Sequence, residues 1–121
     1  MCIRDRIEWH PLLDQSKVVN ACRQHGLAVT AYSPIARGSA AGNKVLATAG
    51  IAYGKTGAQV CLRYMIQEGA IVIPRTSRVE RLSENMDIFD FELNDEEMTE
   101  IRTLAHGGGR LVDWGGAPKW D

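Results

Sequence analysis

A chain of 121 residues is one domain at most, with 45% hydrophobic and 24% charged residues, an ordinary balance for a globular protein. Its formal net charge of -1 offers neither the basic footprint of a nucleic-acid binder nor a pull toward anionic lipid. No apolar run is long enough to span a bilayer, and the start Met1 to Arg6 lacks the apolar stretch of a signal peptide, so the sequence points to no nucleic-acid partner, no membrane and no export.

In chain order, Ile7-Glu8-Trp9 before Pro11 reads as the tail of a strand. Residues 15–25 carry one apolar face through Val18, Val19 and Cys22 and stop at His25-Gly26, the signature of a helix. Leu27 to Tyr32 is β-rich and is closed by Ser33-Pro34. The grammar then repeats. Thr56 and Gln59 form a T-x-x-Q capping box for a helix with Val60, Cys61, Tyr64 and Met65 on its apolar face, ending at Glu68-Gly69, and Ala70 to Ile73 is an apolar strand closed by Pro74. A helix, a glycine stop, a strand apolar on both faces and a proline, occurring twice, describe αβ units of a parallel sheet covered by helices. Ser77 and Glu80 form an S-x-x-E box opening a helix through about Met86. Asn94 with Glu97 repeats the device, and Leu93 with Met98 supplies the hydrophobic staple of a last helix with Met98, Ile101 and Leu104 inward. Gly107 to Gly109 reads as a flexible hinge, followed by an irregular, surface-bound tail holding Trp114 and Trp120. Three parallel strands of this kind fit a corner of a doubly wound sheet or a segment of a barrel, and the pattern does not choose.

Cys2, Cys22 and Cys61 are odd in number and include no C-x-x-C pair, so a reducing cytoplasm is the natural setting. Cys22 and Cys61, among apolar neighbours at helical spacing, read as buried structural thiols.

Chemistry concentrates just after the last strand, where Pro74-Arg75-Thr76-Ser77-Arg78 brings cations and two hydroxyls to the free N–H groups of a helix start. Arg78 and Arg81 share the surface of the first helical turns. This composition suits a phosphate; it also suits a solvated basic turn in which Ser77 only caps. His10, His25 and His106 read as strand-end, helix-end and surface residues rather than catalytic ones, and Glu8 with His10 lacks a third ligand for a metal.

Ile73-Pro74-Arg75-Thr76, Arg81-Leu82-Ser83-Glu84-Asn85 and Phe89-Asp90-Phe91-Glu92-Leu93 closely resemble the C-terminal signature of the aldo-keto reductases. Glu8-Trp9-His10-Pro11 and Ala31-Tyr32-Ser33-Pro34 resemble two further stretches of that family, and the ending Arg110-Leu111-Val112 through Asp121 is similar to the bacterial diketogluconate reductases. The resemblance runs from Ile7 to the end. It implies an α/β fold, the C-terminal part of a (β/α)8 TIM barrel comprising about the last three βα units with a C-terminal helix and tail. It divides the chain into residues 1–6, where Asp5-Arg6 stands in place of the family's asparagine-glutamine pair and a non-native start is expected, a barrel part over 7–105, and a tail over 106–121.

The resemblance also implies roles. Tyr32 matches the tyrosine that stacks on the nicotinamide of NADPH, and Ser33, Pro34 and Ile35 match the loop lining the pyrophosphate. Arg75, Thr76 and the neighbouring Ser77 fall at the adenosine 2'-phosphate, Arg81 matches the arginine beside it, and Glu84 with Asn85 match the residues at the adenine amino group. Guanidinium forks bind phosphate, and a carboxylate with an amide reads an exocyclic amine, so each role is physically sensible. The parent is then expected to be a cytoplasmic, monomeric NADPH-dependent oxidoreductase acting on small aldehydes or ketones. The family's catalytic aspartate, tyrosine, lysine and histidine have no counterpart here, so this chain alone is expected to be inactive. The alternatives are a non-catalytic nucleotide- or anion-binding fragment and a remnant of a truncated gene.

Overall fold

The structure is a computed structural model that describes residues 4–113 and 115–116. Strands β1 (Arg4–Glu8), β2 (Ala28–Tyr32) and β3 (Ile71–Val72) alternate with helices α1 (Ser16–Gln24), α2 (Lys44–Ile51), α3 (Gly57–Gln67), α4 (Glu80–Met86) and α5 (Asp95–Arg102). The strands form one parallel sheet in the order β1-β2-β3. Parallel neighbours need crossover helices, and α1 and the α2–α3 pair serve as the two crossovers. β1 begins at Arg4, three residues before the strand tail read from Ile7, and pairs along its length with β2, from Arg4 opposite Ala28 to Glu8 opposite Tyr32.

The helix boundaries follow from local chemistry. At α3 the Thr56 hydroxyl accepts the Gln59 amide at 3.3 Å while the Gln59 side chain accepts the Thr56 amide at 3.0 Å. At α5 Asn94 and Glu97 exchange the same two bonds at 2.9 Å each, and the stapling residues Leu93 and Met98 are both buried. α1 and α3 stop at Gly26 (φ 66°) and Gly69 (φ 86°), which take the left-handed conformation that glycine adopts without a Cβ penalty. α2 carries no sequence expectation. Asn43 caps it by accepting the Val45 amide at 2.9 Å, and close packing on α3 is possible because Gly50 and Gly57 lack a Cβ that would strike the carbonyls of Lys55 and Ala41.

The core lies on one face of the sheet. Val29 and Ala31 of β2 pack with Val19 and Cys22 of α1, Leu46 of α2, Val60, Cys61 and Met65 of α3, and Met98 and Ile101 of α5. Ala28, Thr30 and Tyr32 alternate onto the other face and stay exposed or half-exposed. Strands covered on both faces, as the sequence suggested, are therefore not found among the described residues. Ile71 pairs with Thr30, so it shares the open face and is 45% exposed. Burial of Cys22 and Cys61 agrees with their reading as structural thiols; burial, together with nearby Asp5 for Cys22, pushes both thiol pKa values up. Among the described residues no helix is long and apolar enough to cross a membrane.

Candidate functional site

Beyond β2 the chain turns through Ser33 (φ 52°), Ala36 (φ 49°), Arg37 (φ 54°) and Gly38 (φ 98°). Left-handed conformation in a residue with a side chain costs on the order of 1 to 3 kcal/mol, and three in five positions persist only where surroundings enforce them. Here the enforcement is visible. Ala36 N–H donates to the Ser33 carbonyl at 2.9 Å, Gly38 N–H to the Ile35 carbonyl at 2.8 Å, and the buried Cys61 thiol to the Pro34 carbonyl at 3.1 Å. Pro34 and Ala36 are themselves fully buried, so the loop is clamped from beneath.

Beyond β3 the chain passes through Pro74 to α4. The Ser77–Glu80 capping box does not form. The Thr76 hydroxyl accepts the Arg78 amide at 3.1 Å instead, closing a local turn, and α4 begins at Glu80 after an N-cap Val79 with no side-chain cap. Ser77 is left exposed on that turn rather than at a helix start, so the donors available to an anion are the side chains around Arg75, not free helical N–H groups. Further along, the Thr56 hydroxyl donates to Glu84 Oε1 at 2.7 Å, and Gln59 Nε2 donates to the carbonyls of Glu84 and Asp87 at 3.1 and 3.0 Å. The N-terminus of α3 thereby fixes the C-terminal half of α4.

These two segments enclose two adjoining cavities. One, of about 240 Å³, is lined by Ile35, Arg75, Thr76, Arg81, Glu84 and Asn85, with Gly38, Ala41 and the start of α3 at Thr56 to Ala58 completing the wall. The other, of about 340 Å³, is lined by Ser33, Pro34, Ile35, Arg37, Gly38, Ile73, Arg75 and Arg81. Ile35, Gly38, Arg75 and Arg81 border both. Eight of the ten residues singled out in the sequence thus meet at one place. Tyr32 stands half-buried at the end of β2, next to the loop but not in either wall, and Ser77 is outside both. Arg37 and Thr56 were not anticipated: a capping box announced Thr56 only as a helix start, and no local pattern marks Arg37. Among the described residues none of Arg37, Arg75 and Arg81 is engaged in an ion pair, so three guanidiniums line the cavities available to an anion.

A second polar cluster sits at the end of β1. Glu8 and His10 are buried, with His10 Nε2 at 3.1 Å from Glu8 Oε1. Burial opposes ionisation of Glu8, but the backbone amides of Leu111 and Val112 and the His10 contact outweigh it and hold the carboxyl pKa below its ordinary value. Burial depresses the His10 pKa, and Glu8 offsets only part of that. Both shifts favour a carboxylate accepting from a neutral imidazole, and among the described residues His10 Nδ1 has no partner. Among the described residues no group of three His, Cys, Asp or Glu side chains is placed to hold a metal. His25 terminates α1, and His106, itself exposed, forms a backbone bridge to the buried Leu13.

Comparisons place the chain among known proteins. The family model described as the Aldo/keto reductase family matches residues 4–106. An uncharacterized oxidoreductase of Schizosaccharomyces pombe is 41% identical over 100 residues, covering 83% of this chain and 36% of the relative. The glyoxal reductase of Bacillus subtilis is 38% identical over 100 residues, with the same shares covered. The crystal structure of a putative 2,5-diketo-D-gluconic acid reductase B superposes with a TM-score of 0.93 at 42% identity, covering 98% of this chain and 43% of that one. A Gox0644 mutant in complex with NADPH superposes with a TM-score of 0.87 at 28% identity, covering 91% and 41%. The chain spans a little over a third of the length of the curated relatives it matches, 36% in both cases above.

Proposed function

The chain belongs to the aldo/keto reductase family, and from that membership we propose that residues 7–105 are the C-terminal part of a (β/α)8 barrel whose parent reduces small aldehydes or ketones with NADPH, this chain contributing the cofactor-binding portion. The observation that carries the reading is the convergence of Arg75, Thr76, Arg81, Glu84 and Asn85 with the 33–35 loop on two adjoining cavities.

The residues present fit such a cofactor. Arg75 and Arg81 would hold a 2'-phosphate, and the Thr76 hydroxyl would join them by turning its proton from the Arg78 carbonyl; planar guanidinium forks match the phosphate oxygens and stay charged at any working pH. Glu84 Oε1 is occupied by Thr56, which orients the carboxylate and leaves Oε2 to accept from an exocyclic amine beside the Asn85 amide. Ser33 to Ile35, clamped by Cys61, line the path of the pyrophosphate, with Arg37 adding a cation there. Tyr32 presents an aromatic face beyond the loop for the nicotinamide. The bound cofactor would supply the hydride. The proton for the developing alkoxide comes from the family's catalytic residues, which we assign to a part of the parent barrel other than this chain. The chain on its own then binds without turning over.

Titrating the 121-residue chain with NADPH, followed by the cofactor's own fluorescence, tests this directly. Saturable binding reversed by adenosine 2',5'-bisphosphate is expected. Unchanged emission up to millimolar chain would contradict it.

A further inference from the structure

Between β1 and the chain's far end lies a contact that the cofactor cavities do not use. Glu8 is 1% exposed, and a buried carboxylate is costly unless several donors compensate it. It finds them in a distant segment: Leu111 N–H donates to Oε1 at 2.6 Å and Val112 N–H to Oε2 at 2.9 Å, with His10 as the third donor. Neither side chain of that segment is fully buried, Leu111 being 36% exposed and Val112 half-buried, so the two amide bonds are its firmest described attachment.

The approach to this point is also fixed. His106 N–H donates to the Leu12 carbonyl at 3.2 Å, and Gly109 N–H to the His106 carbonyl at 3.2 Å. Gly109 is buried in a short 3-10 turn, where a Cβ would fall on the Leu12 carbonyl. Gly107 and Gly108 are exposed while Gly109 is packed, so the third glycine serves close approach rather than the flexible hinge the sequence suggested. Glu8 is the register partner of Tyr32, and residues opposite one another in a parallel pair share a face. The 111–112 backbone that Glu8 holds is therefore on the face of the sheet that Tyr32 shares.

We infer that Glu8 is a positioning residue that pins the 111–112 backbone beside Tyr32 and so sets the wall against which the carbonyl substrate meets the nicotinamide. The substrate half of this inference rests on the proposed function; the anchor itself rests on Glu8 alone. An ionised carboxylate suits the task because it accepts two amides at once without donors of its own to satisfy.

Hydrogen exchange over residues 110–113 of the full chain, read by mass spectrometry in wild type, Glu8→Gln and Glu8→Ala, tests the anchor, with NADPH titration of each as the companion. Slowed exchange in wild type is expected to fall by about tenfold or more in Glu8→Ala, since a bond to a charged acceptor is worth at least that. Glu8→Gln, which keeps one acceptor oxygen, should fall between. In wild type the protection, corrected for intrinsic rates, is lost on acidification as Glu8 protonates, whereas in Glu8→Gln it keeps one level; His10 faces Glu8 directly, His106 acts on His10, and Arg110 and Asp113 flank the pinned amides. NADPH should still bind all three, through the 2'-phosphate, pyrophosphate and adenine contacts of cavities that Glu8 does not line. Should Glu8→Ala fail to fold, the Glu8→Gln comparison and the wild-type acid profile decide. Equal protection in all variants, or free-peptide exchange in wild type, would overturn the anchor even with NADPH bound. Protection without NADPH binding would instead remove the substrate role together with the proposed function.

Discussion

Thr56 caps α3 and, with the same hydroxyl, donates to the Glu84 carboxylate of α4 at 2.7 Å. One oxygen thereby ties a helix start to a cavity wall. Replacing Thr56 by alanine should remove the cap, worth about 1 kcal/mol, and release Glu84. We expect Thr56→Ala to lower the melting temperature and weaken NADPH by several-fold, and Thr56→Ser to preserve both. Thermal melts and titrations on the three proteins check this; full NADPH affinity in Thr56→Ala would show that Glu84 needs no such support.

Stability should fall on the acid side in two stages. His10 has its pKa lowered from 6.5 in the folded chain by burial, so the unfolded chain takes up the proton first and folding weakens as the pH drops below about 6.5. Glu8 has its pKa lowered from 4.5, so its contribution is complete above that value and is lost as the pH falls through the depressed folded one. Urea midpoints measured from pH 7.5 to 5.5 should decline in wild type and decline less in His10→Asn. A flat wild-type profile over that window would contradict the burial of a neutral His10.

The sequence made some of this visible and hid the rest for physical reasons. Capping boxes are local, and those at Thr56 and Asn94 form as read. The Ser77–Glu80 box had the same spelling but lost to Thr76, whose hydroxyl reaches the Arg78 amide first. α2 went unmarked because its Lys44–Ile51 stretch, with one buried leucine and a glycine chosen for close packing, has little periodicity of its own. Glu8 received no role from the sequence beyond a metal pair lacking its third ligand, since two of its partners are 103 and 104 residues away. Arg75, Thr76 and Arg81 stood out as a possible anion site from their own composition and spacing, residues 33–35 and 84–85 only through resemblance, and Arg37 not at all, because its place is set by left-handed backbone that no side-chain pattern announces.

The isolated chain should self-associate. Among the described residues β1 and β3 are both sheet edges, Ile71 and Ile73 lie exposed, and Leu82 and Met86 of α4 face solvent with the N-cap Val79. Unpaired edges beside apolar surface invite further pairing. Sizing chromatography with an NADPH oxidation assay should give oligomers without turnover of any aldehyde. A monodisperse monomer with steady turnover would count against both the open sheet face and the placement of the proton donor elsewhere.

Arg81 borders both cavities, and its guanidinium is the group whose loss should distinguish the two nicotinamide cofactors. Only NADPH carries the 2'-phosphate, and a hydrogen bond to a charged group is worth about 1.5 to 3 kcal/mol, or on the order of 10- to 100-fold in affinity. The decisive measurement is the ratio of the NADH to the NADPH dissociation constant in wild type and in Arg81→Met. A wild-type ratio well above one is expected, falling by about tenfold or more in the variant through weaker NADPH with NADH unchanged. A wild-type ratio of one, or equal losses for both cofactors, would contradict the assignment of these cavities to NADPH.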